Sequence, residues 1–163
     1  MTENPLTDAE TALLRRSVEI AAAAREAGNH PFGALVADEY GEIVAEAGNH
    51  ALPPDGDPTQ HAELRAVAAA VRAIGPERMR RATLFTSAEP CAMCTGAAYW
   101  TGVGRIVYGL AESSLLALTG AHEQNPTLDL PCREVLRHGQ REIAVLGPRL
   151  EDEAARVHEG YWV

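Results

Sequence analysis

Between residues 5 and 27, Leu13, Leu14 and Ile20 recur at helical spacing among alanines, which predicts a first helix with one apolar face packed closely on a sheet. Thr7 is placed to cap its start, with Glu10 three residues on completing a capping box, and Gly28 ends it. The period then changes. Phe32 to Ala37 and Ile43 to Ala47 are short apolar runs on either side of a turn at 38–41, the pattern of an antiparallel hairpin. A Pro- and Gly-rich loop through Pro58 leads into a second helix at 61–74, where Leu64, Val67, Ala68 and Val71 share a face and Gly75-Pro76 stops the run. Further on, the pattern predicts a strand at 83–87, a helix at 91–100, a strand at 105–108 and a short helix at 112–118. Gly120, Asn125-Pro126 and Leu130-Pro131 leave 119–133 irregular, and a structureless stretch of that length is often functional; within it His122 and Glu123 are placed either to face a pocket or, on the plainer reading, as exposed loop residues. A strand at 143–146 and a helix at 149–158 precede Gly160-Tyr161-Trp162-Val163.

Composition narrows the class. A chain of 163 residues, 46% hydrophobic, suits a single domain over 1–163. No apolar run approaches a membrane span, and the acidic start at 1–10 lacks the basic and apolar regions of a leader, so a cytoplasmic protein is expected. Three cysteines, two in a C-x-x-C, suit thiolates that serve a metal in a reducing compartment; Cys132 reads as a packed or partly exposed thiol. The net charge of −9, with no cluster of basic residues, disfavours a nucleic-acid partner and favours a small uncharged substrate.

The chemistry lies in two stretches, His61-Ala62-Glu63 and Pro90-Cys91-Ala92-Met93-Cys94. One imidazole and two thiolates are a ligand set that suits Zn²⁺, and three protein ligands leave a fourth tetrahedral position for water. Glu63, in the first turn of its helix, reaches that position from the side and is the candidate proton shuttle. A redox pair does not account for His61 and Glu63, and a structural site needs a fourth ligand that distant Cys132 is poorly placed to supply. H-x-E followed by P-C-x-x-C is the signature of zinc-dependent nucleobase deaminases. Asn49, in the loop before the second helix, is suited either to a ring edge or to its own backbone.

With Asn29-His30-Pro31-Phe32-Gly33-Ala34-Leu35-Val36, Asp57-Pro58-Thr59-Gln60-His61-Ala62-Glu63 and Thr86-Ser87-Ala88-Glu89-Pro90-Cys91-Ala92-Met93-Cys94-Thr95-Gly96-Ala97, the chain resembles the cytidine and deoxycytidylate deaminase superfamily, and within it the guanine and nucleobase deaminases. The resemblance implies a three-layer α/β/α fold with a mixed five-stranded sheet, Zn²⁺ on His61, Cys91 and Cys94, and Glu63 as proton shuttle; the Cys91 backbone N–H, at a helix start expected to face the metal, is placed to steady the incoming oxygen. It also implies a substrate pocket formed by Asn49, Phe32, Ala62 and Trp100, with a C-terminal aromatic segment, here Tyr161 and Trp162, closing it over a free nucleobase. Two aromatics so near the end must dock: either over an active site, their own or a neighbouring subunit's in a homodimer or higher oligomer, or on their own domain's surface as an ordinary helix end. Guanine is favoured; cytosine, other aminopurines and aminotriazines stay open. Two alternatives are a tRNA adenosine deaminase, which shares both motifs but needs a basic face, and a non-catalytic zinc-stabilised module, in which Glu63 would be dispensable.

Overall fold

The computed structural model describes residues 5–120 and 122–163; residues 1–4 of the start read above for a leader, and Ala121 in the irregular stretch, lie outside them. Five strands, β1 (Gly33–Ala37), β2 (Ile43–Gly48), β3 (Thr83–Ala88), β4 (Arg105–Leu110) and β5 (Ala144–Leu146), form one sheet in the order β2-β1-β3-β4-β5. β1 runs antiparallel to both β2 and β3, while β3, β4 and β5 run parallel. The mixed sheet inferred from resemblance is therefore present.

Strand alternation sorts the core into two layers. Ala34, Val36, Leu84 and Ile106 point to one face, against Ala66, Val67 and Ala70 of α2 (Ala62–Met79) and Ala98 of α3 (Ala92–Thr101). Their neighbours Leu35, Ala37, Phe85 and Val107 point to the other, against Leu14 and Ile20 of α1 (Asp8–Glu26). Covered on both faces, β1 is buried along its whole length. α1 lies so close to it that a Cβ on Gly33 would sit 2.3 Å from the Ser17 carbonyl oxygen and 2.4 Å from the Ala21 nitrogen. Glycine there is what permits the approach.

Local signals act as their chemistry dictates. The Thr7 hydroxyl accepts the Glu10 N–H at 3.1 Å and the Glu10 carboxylate accepts the Thr7 N–H at 2.9 Å, completing the capping box. Gly75, at φ 78° and ψ 161°, breaks α2 before Pro76, so the expected stop is a kink after which one further turn reaches Met79. In the hairpin turn, the Asp38 carboxylate accepts the N–H groups of Tyr40 and Glu42, both at 3.0 Å.

Beyond β4 come α4 (Glu112–Thr119), α5 (Cys132–Arg137) and α6 (Glu151–Arg156). α5 corrects the sequence reading, which assigned no helix between 119 and 143. It is six residues long and its N-cap, Pro131, has no capping side chain, so it lacks a local start signal. α6 is shorter than the expected 149–158, since Leu150 sits in the left-handed region at φ 53° and delays the start. Among the described residues no helix is long and apolar enough to cross a membrane.

Candidate functional site

One edge of the sheet gathers the chemistry. β3 ends at Ala88 and the chain turns through Glu89-Pro90 into α3; β1, antiparallel to it, begins at the same edge just after His30 and Phe32; β2 ends there before Asn49. His61 and Cys91 are the N-cap residues of α2 and α3, each extended and neither using its side chain as a cap. The helices thus begin one residue later than expected, and both side chains stay available to a metal.

Ligand atoms of His61, Cys91 and Cys94 all lie within 4.8 Å of one another. Cys91 Sγ is 3.6 Å from His61 Nδ1, and Cys94, fully buried, has its Sγ 3.8 Å from Glu63 Oε2. Hydrogen bonding from Cys94 and then from His61 pulls the Cys91 thiol down to about 4, while His61 is raised by its bond to Cys91. A ready thiolate, a second thiol and an imidazole at two helix starts are the donor set that zinc requires, and the trio fits the ion. Glu63, one residue into α2, is only 5% exposed. Burial, reinforced by the Cys91 charge, pushes its carboxyl up to about 7, where a group can both take and give a proton near neutrality.

Of these, His61, Glu63 and Cys91 form the floor of a cavity of about 540 Å³ lined by His30, Phe32, Asn49, Met93, Glu112 and Leu115, with residues 123–128 as its outer wall. That volume is in the range of small-molecule sites. Among the described residues its lining contains four carboxylates, Glu63, Glu89, Glu112 and Glu123, and neither lysine nor arginine. Burial, with Glu89 adding repulsion, pushes the Glu112 carboxyl up to about 7. A wider, more open depression of about 820 Å³ beside β5 holds Arg133, Arg137 and Arg141 but none of the metal trio.

Not every expected substrate contact lies in this cavity. Phe32 and Asn49 line it with His61, Glu63 and Cys91. Asn49 combines both of its readings: its Oδ1 accepts the Ala51 N–H at 2.9 Å, and the amide still has two donors to offer. Ala62 is fully buried in the cluster between α2 and the sheet and is not part of the lining. Trp100 also lies outside the lining: six residues after Cys94 is a turn of roughly 240° around a helix, which leaves it 81% exposed. Tyr161 and Trp162 stand one layer behind the pocket, outside its lining. Trp162 donates from Nε1 to His158 Nδ1 at 3.1 Å and its ring meets those of His30 and His122 at 5.3 and 5.4 Å. Arg25 fastens this tail through the carbonyls of Val157 and Glu159, both at 2.8 Å, with its guanidinium 5.5 Å from the Tyr161 ring centre. The tail thereby braces the wall through His30, whose Nε2 lies 3.3 Å from Gln124 Oε1.

His30, Glu112 and Leu115 were not legible as pocket residues in the sequence, and of the wall only the irregular stretch as a whole and Glu123 were singled out. Glu112 had one usable signal, an acid directly after a strand that ends at the same edge as β3. Glu123 is exposed, as expected, yet belongs to the lining.

The family model described as the cytidine and deoxycytidylate deaminase zinc-binding region matches residues 7–110. A probable cytosine deaminase of Schizosaccharomyces pombe is 40% identical over 162 residues, covering 99% of this chain and 98% of the relative. A guanine deaminase of Bacillus subtilis is 38% identical over 96 residues, 58% of this chain and 60% of the relative. Among solved structures, the guanine deaminase from Nitrosomonas europaea superposes with a TM-score of 0.77 at 26% identity, covering 98% of this chain and 88% of that one.

Proposed function

Because the chain belongs to the cytidine and deoxycytidylate deaminase zinc-binding family, we propose that it hydrolyses the exocyclic amine of a free nucleobase and releases ammonia. The observation that carries this reading is the lining of the cavity: four carboxylates and no cation beside the metal trio. Such a lining repels phosphate and offers hydrogen-bond acceptors to the N–H groups of a neutral ring. It opposes both a nucleotide and the phosphate backbone of tRNA.

Zinc, when held by His61, Cys91 and Cys94, supplies a Lewis acid that makes water nucleophilic near neutral pH. Glu63 does the proton work: its carboxylate takes one proton from water and delivers it to the ring nitrogen next to the amine-bearing carbon, then takes the proton of the hydroxyl added to that carbon and passes it to the amine, which leaves as ammonia as the C–N bond breaks and the carbonyl forms. Phe32 and Leu115 exclude bulk water around the ring, and the Asn49 amide donates to a ring acceptor. The Cys91 N–H, at a helix start, steadies the oxygen that adds to the carbon.

Guanine is the base favoured by the motif resemblance. Cytosine is the second reading, favoured by the full-length match to a probable cytosine deaminase, because such a match includes the wall at 123–128. An ammonia-release assay across guanine, cytosine, adenine and their nucleosides tests the proposal. The free base is expected to exceed its nucleoside in kcat/KM by at least about tenfold, since a ribose must displace the wall and its tail brace. Faster turnover of a nucleoside would overturn this.

The proposal extends to a homodimer. Trp100 is 81% exposed on the outer face of α3 beside Tyr99, with ring centres 5.3 Å apart, and burying a side chain of that size is worth about 1.5–3 kcal/mol. Sedimentation velocity is expected to find a dimer that Trp100→Glu converts to a smaller species; a monomeric parent would end this reading.

A further inference from the structure

Two helices that frame the pocket wall begin without caps of their own. The N-cap residues of α4 and α5, Ala111 and Pro131, supply no capping side chain, although the N–H groups of a first helical turn need acceptors from elsewhere. One carboxylate from a third segment meets both. Glu89, 8% exposed, accepts the Glu112 N–H through Oε2 at 3.1 Å and the Cys132 N–H through Oε1 at 3.0 Å. Its own N–H donates to the Leu110 carbonyl at 2.8 Å.

The consequence follows from where these residues lie in the chain. Glu89 is two positions before Cys91, and α4 and α5 bracket the segment that carries the wall at 123–128. A single buried carboxylate therefore ties both ends of that segment to the turn that presents a metal ligand. Charge-assisted bonds to backbone N–H groups are short and strong, and neither helix start has a side-chain cap to replace them. We propose that Glu89 is a positioning residue that fixes the separation between the metal ligands and the wall, and so determines which ring fits between them. The part concerning the ring rests on the nucleobase reading; the part concerning the wall does not.

The test uses the zinc-loaded full chain with Glu89→Gln and Glu89→Ala. Glutamine keeps the size but replaces one acceptor oxygen with a donor, so it retains one of the two bonds; alanine removes both. Zinc content is expected to match the parent in each. Backbone amide exchange at Glu112 and Cys132, followed by NMR, is expected to accelerate at both positions in Glu89→Ala and mainly at one in Glu89→Gln. KM for the preferred base is expected to rise by about tenfold or more in Glu89→Ala, with kcat much less affected and the ratio of guanine to cytosine turnover changed. If Glu89→Ala does not fold, Glu89→Gln carries the same readouts. Unchanged exchange at both amides overturns the proposal, as does an equal fall in kcat and kcat/KM with KM and base preference intact. If the parent turns over no base, the nucleobase reading fails, and amide exchange alone judges whether Glu89 holds the wall.

Discussion

Glu63→Gln is expected to retain a full equivalent of zinc and the parent's melting behaviour while lowering kcat by about 10²- to 10⁴-fold, the range for a positioned general acid–base group. The amide matches the carboxylate in volume, so packing at this 5% exposed position is preserved. Gln can neither take a proton from water nor pass one to a ring nitrogen. The effect should fall on kcat, because Glu63 acts as the proton moves and the ring is held by other groups. Steady-state kinetics with metal analysis on the same sample checks this. Near-parental turnover in a folded, zinc-loaded variant would remove Glu63 from the mechanism and favour a zinc-stabilised module without catalysis.

The Cys91→Ser, Cys94→Ser double variant should lose stoichiometric zinc and, with it, all measurable deamination. A serine hydroxyl stays protonated at neutral pH and is a harder donor, so the site would keep one imidazole and no thiolate. The Cys91 thiol is drawn below the usual thiol range by hydrogen bonds from Cys94 and His61, which favours the thiolate a metal binds, so its loss is costly to metal affinity. Atomic emission on gel-filtered protein, with circular dichroism to show that the fold persists, measures the result. Full zinc content in this variant would mean that the ion sits elsewhere and that the trio is not the ligand set.

The features legible in the sequence are those whose cause is local. The capping box of Thr7 and Glu10, the stop at Gly75-Pro76, the hairpin turn at Asp38 and the two metal motifs each act within a few residues. The features that were missed depend on partners far along the chain. α5 takes its first acceptor from Glu89, 43 positions earlier. The outward face of Trp100 follows from the helical phase that α3 inherits from Cys94, whereas resemblance placed its ring near the substrate. Resemblance placed Tyr161 and Trp162 over the substrate, but Arg25 and His158 hold them one layer back, against His30 and His122. The zinc floor of the pocket was thus readable as a motif, whereas its wall exists only once the chain has folded.

The order of the strands also governs what the molecule does when crowded with its own copies. A sheet edge is a template on which a foreign strand can grow, and here the two edges are β2 and β5. β5 is three residues long and is followed by Gly147-Pro148, whose proline has no N–H to donate. β2 follows Glu42, carries Glu46 tied to Arg16 at 2.7 Å, and pairs with β1 through an irregular register at Val36/Ala37. Neither border offers a long, flat, uncharged ladder, so each gives amyloid-like growth by strand addition little to build on.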